Sequence, residues 1–233
     1  MADDLLVIIP TRGRPQAIPE IMAAWDATGA TADVLFAVDT DDPQLAAYKA
    51  EAAKLKADGR VRFAYGKRRR LVGTLNQQAA KAAKSYRFLG FMGDDHRPRT
   101  AAWDARIREC LSGGPGIVYG NDLLQGELMP TAVAMTADIV STLGYMAPPV
   151  FVHLCVDLVW KDWGVGMQRI TYLPDMVIEH LHPAAGKAPV DEGYEEANSQ
   201  ERVSGDSAAY YAYRDEGGLD SDLKKLRALV EAD

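Results

Sequence analysis

Short apolar runs that stop at charged residues limit the fold of this chain more than any other feature. Residues 5–9, 34–38, 61–65 and 88–92 are each too short for a buried helix and read as strands. Amphipathic segments separate them. Ile18, Ile21, Met22 and Trp25 keep the i, i+3, i+4, i+7 spacing of a helix packed on a sheet, and Gly29 ends it. Asp42 and Pro43 suit the N-cap and first position of a second helix over 44–57. A third starts at Gly73 or Thr74 and runs to Ala83, with Leu75 and its alanines inward. Strand–helix alternation of this kind predicts an α/β fold, with a mostly parallel sheet flanked by helices.

Parallel strands bring their C-terminal tips to one edge, where open α/β sheets bind ligands. Three tips carry charge: Arg12 and Arg14 after the first strand, Asp39 after the second, and Asp94 and Asp95 after the strand at 88–92. Two arginines can clamp a phosphate or carboxylate, or sit in a solvated basic turn. Asp39 can accept from a ribose hydroxyl or a base N–H. Adjacent carboxylates repel unless a cation or a hydrogen-bond network holds them. Asp94 and Asp95 are therefore read as holding a divalent metal that carries a phosphorylated ligand, against the plain alternative of an acidic turn. Lys67, Arg68, Arg69 and Arg70 follow Gly66 as a phosphate-facing loop or a solvated charge run. Asn76 falls in the first turn of the third helix, where backbone amides favour anions.

With 233 residues the chain suits one large domain, or a domain with an appendage. A net charge of -7 makes nucleic acid an unlikely partner through bulk charge. Cys110 and Cys155 have apolar neighbours and read as reduced, buried thiols, which fits a cytoplasmic setting. The acidic start leads straight into a strand, unlike a secretory leader, and no apolar run is long enough for a membrane span.

The second half is predicted as a helix over 100–111, a strand over 117–119, a strand over 128–135 with an antiparallel neighbour, and a short helix over 137–143. The apolar stretch 151–163 suits a helix and contains a lone acid, Asp157. Burial would raise its pKa toward that of a general base, while a helix N-cap is the simpler role. Trp160 and Trp163 either stack on a sugar or pack, with packing preferred for Trp160. Residues 170–173 and 176–179 read as strands leading to His180 and His182, which alternate, so only one can readily point into a site. The polar segment 184–198 is a lid with Lys187 near phosphate, or a surface loop. Helices over 206–214 and 219–232 close the chain. Leu223, Leu226, Leu229 and Val230 form one stripe that must dock on the domain or on a partner chain, and the tyrosines at 210, 211 and 213 exceed one buried face, so a homo-oligomer is considered.

Over about residues 5–100 these pieces resemble the GT-A nucleotide-sugar glycosyltransferases of the family 2 type. The matching stretches, in order, are 7–12, 37–42, the helix with Asn76, and 91–95. The resemblance implies a GT-A catalytic domain over 1–183, split into a nucleotide-binding half (1–99) and an acceptor-side half (100–183), with the lid and terminal helices of 184–233 packed on it. It implies a hexosyltransferase-type enzyme that moves a sugar from a nucleoside-diphosphate sugar to a hydroxyl of a glycan, lipid-linked glycan or protein, with inversion. Pro10, Thr11 and Asp39 correspond to nucleotide-binding positions, and Arg12, Arg14, Arg70, Asn76, Asp94 and Lys187 are grouped with them. The region of Asp94 and Asp95 corresponds to the DxD motif that holds Mn²⁺ or Mg²⁺. Met92 stands where that motif has its first acid, which leaves Asp94 as the leading ligand and Asp95 as the second. A late His, His180 ahead of His182, completes the metal shell, and Asp157 occupies the slot of the catalytic base. A nucleotidyltransferase and a non-catalytic sugar-nucleotide or glycan-binding module are the competing readings.

Overall fold

The computed structural model describes residues 4–233. The first half alternates strand and helix: β1 (Leu5–Thr11), α1 (Ala17–Thr28), β2 (Asp33–Asp39), α2 (Leu45–Lys54), β3 (Val61–Gly66), α3 (Arg70–Ala82) and β4 (Phe88–Phe91). Then come β5 (His96–Pro98), α4 (Trp103–Leu111), β6 (Ile117–Asn121), β7 (Val133–Thr136), α5 (Ala137–Leu143), α6 (Val156–Gly166) and β8 (Ile170–His180). Three helices finish the chain: α7 (Glu192–Ala197), α8 (Gln200–Asp215) and α9 (Gly218–Glu231).

One mixed sheet runs β3-β2-β1-β4-β7-β6-β8-β5. β1 pairs in parallel with β2 and β4, and β2 with β3, so the first four strands point the same way. β7 is antiparallel to both β4 and β6. Side chains alternate across each strand, and on β1 this alternation divides them between two cores. Leu5, Val7 and Ile9 enter a core with Trp25 and Trp103, while Leu6 and Ile8 enter a second core with Leu75, Trp160 and Trp163. Trp25 and Trp103 are fully buried and meet edge to face, centroids 5.0 Å apart. Burying an aromatic side chain of this kind contributes about 2 kcal/mol.

Several boundaries differ from the sequence expectation. The third helix begins at Arg70, ahead of Gly73, with Arg70 itself at φ 61. The helix expected from residue 100 begins at Trp103, and the strand expected over 128–135 contracts to Val133–Thr136. Two expected strands are one, because Ile170–His180 runs unbroken past Pro174. Its first part pairs in parallel with β6 and its end pairs antiparallel with β5. The register slips at Gly120 and Asn121, where a Cβ on Gly120 would strike the Met176 carbonyl. Both cysteines are free, but Cys110 is exposed and Cys155 half-buried. The four-residue spacing of Trp103, Ile107 and Leu111 claims the inner face of α4 and leaves Cys110 off it. The terminal stripe docks within this chain: Leu223 and Leu226 are buried against α6 and α8, with Leu229 and Val230 packed beside them. Tyr210 and Tyr213 are buried there, and Tyr211 stays exposed. Among the described residues no helix is long and apolar enough to cross a membrane.

Asp104 joins two layers of this fold. Its buried Oδ2 accepts from Thr31 N at 2.7 Å, Ala32 N at 2.9 Å and Arg108 Nη1 at 2.9 Å. Burial opposes its charge, but Arg108 and these amides hold its carboxyl below the usual range. A depressed folded pKa means stability that is present in full above the unfolded value and lost as pH falls through the folded one. Asp104→Ala should therefore cost about 3 kcal/mol at pH 7. In urea unfolding, the gap to the wild type should narrow below about pH 4.

Candidate functional site

The parallel pairing of β1, β2 and β4 brings their C-terminal ends to one edge. At the end of β1, Thr11 Oγ1 donates to Asp94 Oδ2 at 2.7 Å and lies 2.8 Å from the Tyr48 hydroxyl. Arg14 Nη1 donates to Asp94 Oδ1 at 2.9 Å. Both oxygens of Asp94 are thus engaged with groups of the first loop. Burial pushes its carboxyl up, Arg14 opposes that, and the neighbouring Asp95 adds to it.

Asp95 faces a different set. Its Oδ1 lies 3.2 Å from His96 Nδ1, and its Oδ2 lies 3.3 Å from His180 Nε2. The two histidines meet because His96 on β5 is in register with His180 on β8. Their rings stack with centroids 4.1 Å apart. The ligand atoms of Asp95, His96 and His180 all lie within 4.8 Å of one another, a spacing that could hold a metal ion. Gly93 N–H also reaches His96 Nδ1, at 3.1 Å. His180 Nδ1 is buried with no hydrogen-bond partner among the described residues; Asp122 Oδ2 is 3.8 Å away. One carboxylate and two imidazoles form a donor set that fits a bound cation. Nitrogen in the donor set suits Mn²⁺ better than Mg²⁺.

The charges here are strongly biased. Burial opposes the charge on His180, but Asp122 and Asp95 push its pKa up to about 9. Burial also opposes the charge on Asp95, but His180 and His96 hold its carboxyl well below the usual range. His96 goes the other way, lowered by burial and then by the charge on His180.

The grouping differs from the one anticipated. Asp94, the expected leading ligand, turns to Thr11 and Arg14, and Asp95 holds the place among the histidines. His182 lies outside the cluster: its Nδ1 accepts from Ala184 N at 3.1 Å, and its ring meets His180 and Tyr194 edge on. Asn76 is engaged with a neighbouring loop, accepting from Met146 N and Ala147 N at 2.9 Å each and donating to Ala147 O at 2.7 Å. Lys187 pairs with Glu179 at 2.8 Å, and Arg70 with Glu196. Arg12 pairs with Asp41 at 2.8 Å and reaches Asp39 at 3.3 Å. Asp39 lines a shallow cleft with Val38, Gly66, Lys67, Thr74 and Gln77, and burial pushes its carboxyl up against the pull of Arg12. Pro10 lies within β1, beside Thr11.

Asp157 is the second residue of α6. Burial raises its pKa, and the charge on His180 is near enough to oppose that. The N-cap position belongs to Cys155, a non-glycine residue at φ 65, and not to Asp157. The loop before it is held by the buried Asp206 of α8, whose carboxylate accepts from Val152 N, His153 N and Leu154 N at 2.7–3.0 Å. Trp160 and Trp163 are fully buried packing residues.

Sequence reasoning missed His96, Asp122 and Asp206. His96 had a visible signal, since it directly follows the acid pair. Asp122 and Asp206 had none: each acts through backbone amides of a distant loop or of its own turn.

No protein-family model matches the sequence, and no curated protein sequence matches it. Solved structures do. A mannosyltransferase, PcManGT from Pyrobaculum calidifontis in complex with GDP-Man and Mn²⁺, superposes with a TM-score of 0.63 over 100% of this chain and 75% of its own, at 13% identity. S. aureus TarS 1-349 in complex with UDP-GlcNAc gives 0.59 over 92% and 73%, also at 13% identity. The chain has the GT-A glycosyltransferase fold. The acid and histidine cluster lies at the C-terminal edge of the GT-A sheet, beside the ends of β1, β2 and β4. Added Mn²⁺ should raise the melting temperature of the wild-type chain. His96→Ala and His180→Ala should each abolish that shift, and His182→Ala should keep it, as read by thermal denaturation.

Proposed function

We propose that the chain is a glycosyltransferase that moves a sugar from a nucleoside-diphosphate sugar to an acceptor hydroxyl with inversion. The observation that carries this reading is the joint placement of Asp95, His96 and His180 with the Thr11, Asp94 and Arg14 network at one edge of a GT-A sheet. Neighbours of the same fold were crystallised with GDP-Man and with UDP-GlcNAc, which supports a nucleotide-sugar donor.

Asp39 accepts from the nucleoside in the cleft beside β2, and Thr11 and Asp94 form the floor beneath it. Arg14, with arginines of the 67–70 loop, binds the diphosphate through charge-assisted hydrogen bonds. Asp95, His96 and His180 would hold Mn²⁺ or Mg²⁺, which supplies positive charge against the leaving diphosphate. Asp157 accepts the acceptor's hydroxyl proton. The acceptor oxygen bonds to the anomeric carbon, and the bond from that carbon to the diphosphate oxygen breaks with its electron pair. The raised pKa of Asp157 makes it a better proton acceptor than an ordinary surface carboxylate.

The test is release of nucleoside diphosphate from a panel of UDP- and GDP-sugars with Mn²⁺ and candidate acceptors. Asp157→Asn should lower turnover by a factor on the order of 10²–10⁴ while the donor still binds. Asp95→Asn should lower both turnover and Mn²⁺ binding. Folded variants with near wild-type turnover would overturn these roles. Release of pyrophosphate from a nucleoside triphosphate plus a sugar 1-phosphate, with no nucleoside diphosphate released from the panel, would make the chain a nucleotidyltransferase.

A further inference from the structure

The segment between β8 and α8 carries Asp191, Glu192, Glu195 and Glu196 within six residues of chain. Two of these acids lie on arginines from two separate loops of the donor edge. Asp191 takes Arg14 in a two-pronged pair, Nε to Oδ2 at 2.6 Å and Nη2 to Oδ1 at 2.7 Å. Glu196 takes Arg68 at 2.5 Å through one oxygen and Arg70 through the other. Tyr194, between them, meets the His182 ring. Glu192 and Glu195 point to solvent.

Arg68 and Arg70 share Glu196, and Arg12 and Arg202 are near enough to act on Arg70. Burial and then the charges of Arg68, Arg202 and Arg12 lower the pKa of Arg70, the response of a cation crowded by its own kind. Two carboxylates supplied there by one short helix offer the charge and the hydrogen-bond acceptors of a diphosphate. We infer that residues 191–196 form an acidic strap that occupies the diphosphate cradle in the free protein and is displaced by the donor. The inference rests on the proposed nucleotide-sugar donor. Arg14 is 23% and Asp191 41% exposed, so a diphosphate arriving from solvent can reach the pair and exchange for its carboxylate. A strap that must open before binding lowers apparent affinity by the fraction of molecules that are open, and removing its grip restores that affinity.

The experiment is calorimetric titration of the full chain with UDP and GDP in the presence of Mn²⁺, and separately with inorganic pyrophosphate without metal. Asp191→Asn combined with Glu196→Gln should bind the nucleoside diphosphate tighter by several-fold, on the order of three to ten. Glu192→Gln combined with Glu195→Gln makes the same charge change on the outer face and should leave affinity at the wild-type value. Glu196→Gln alone should show an intermediate gain if the double variant melts early. Pyrophosphate should follow the same order. Equal or weaker binding by the Asp191 and Glu196 variant overturns the strap. An equal gain in the Glu192 and Glu195 variant also overturns it, because net charge would then be the cause. If UDP and GDP bind no form of the protein while pyrophosphate keeps the order, the donor reading fails and the strap stands.

Discussion

The parallel pairing of β1 with both β2 and β4 is the constraint on which the site depends. It sets three strand ends side by side and fixes the distance across which Thr11 reaches Asp94. That hydrogen bond links groups far apart in sequence, and no local rule brings them together. The apolar alternation of β1 holds the pairing, since each face of the strand is committed to a separate core. A slip of one residue would send Leu6 and Ile8 to the wrong side and carry Thr11 away from its partner.

From that edge the site divides into two halves with different electrostatics. Asp94 belongs to the first loop, tied to Arg14 and Thr11. Asp95, one residue on, belongs to the antiparallel pair of β5 and β8. Adjacent acids thus serve different partners because the backbone turns between them, with His96 N bonded back to Gly93 O. The same turn reduces their mutual repulsion by giving each carboxylate its own cationic neighbours.

Much of the first half of the chain was legible in the sequence, because strand length, helix spacing and charged tips are local signals. Arg12, Arg14, Asp39, Asp94 and Asp95 all reach the expected edge. The choice between Asp94 and Asp95 was not legible, because it depends on a three-residue strand, β5, whose composition of His, Arg and Pro carries no strand signal. Asn76 shows a related limit. Its expected place in the first turn of the third helix suggested anion binding, but α3 starts at Arg70, which puts Asn76 in the second turn, and its side chain is engaged with Met146 and Ala147 by a tertiary contact that sequence cannot reveal. The split role of the tyrosines at 210, 211 and 213 was legible in outline, since three such residues cannot share one helix face.

Asp206 has a mechanical consequence. It sits on α8, the helix directly after the strap, and grips three amides of the loop before Asp157. Asp206 is 2% exposed, whereas Asp191 and Glu196 of the strap are about 40% exposed, so its grip is the more enclosed of the two. In the proposed function, one carboxylate is then the pivot between a gate and a wall: the strap ahead of Asp206 exchanges for the donor while the backbone under Asp157 is held in place.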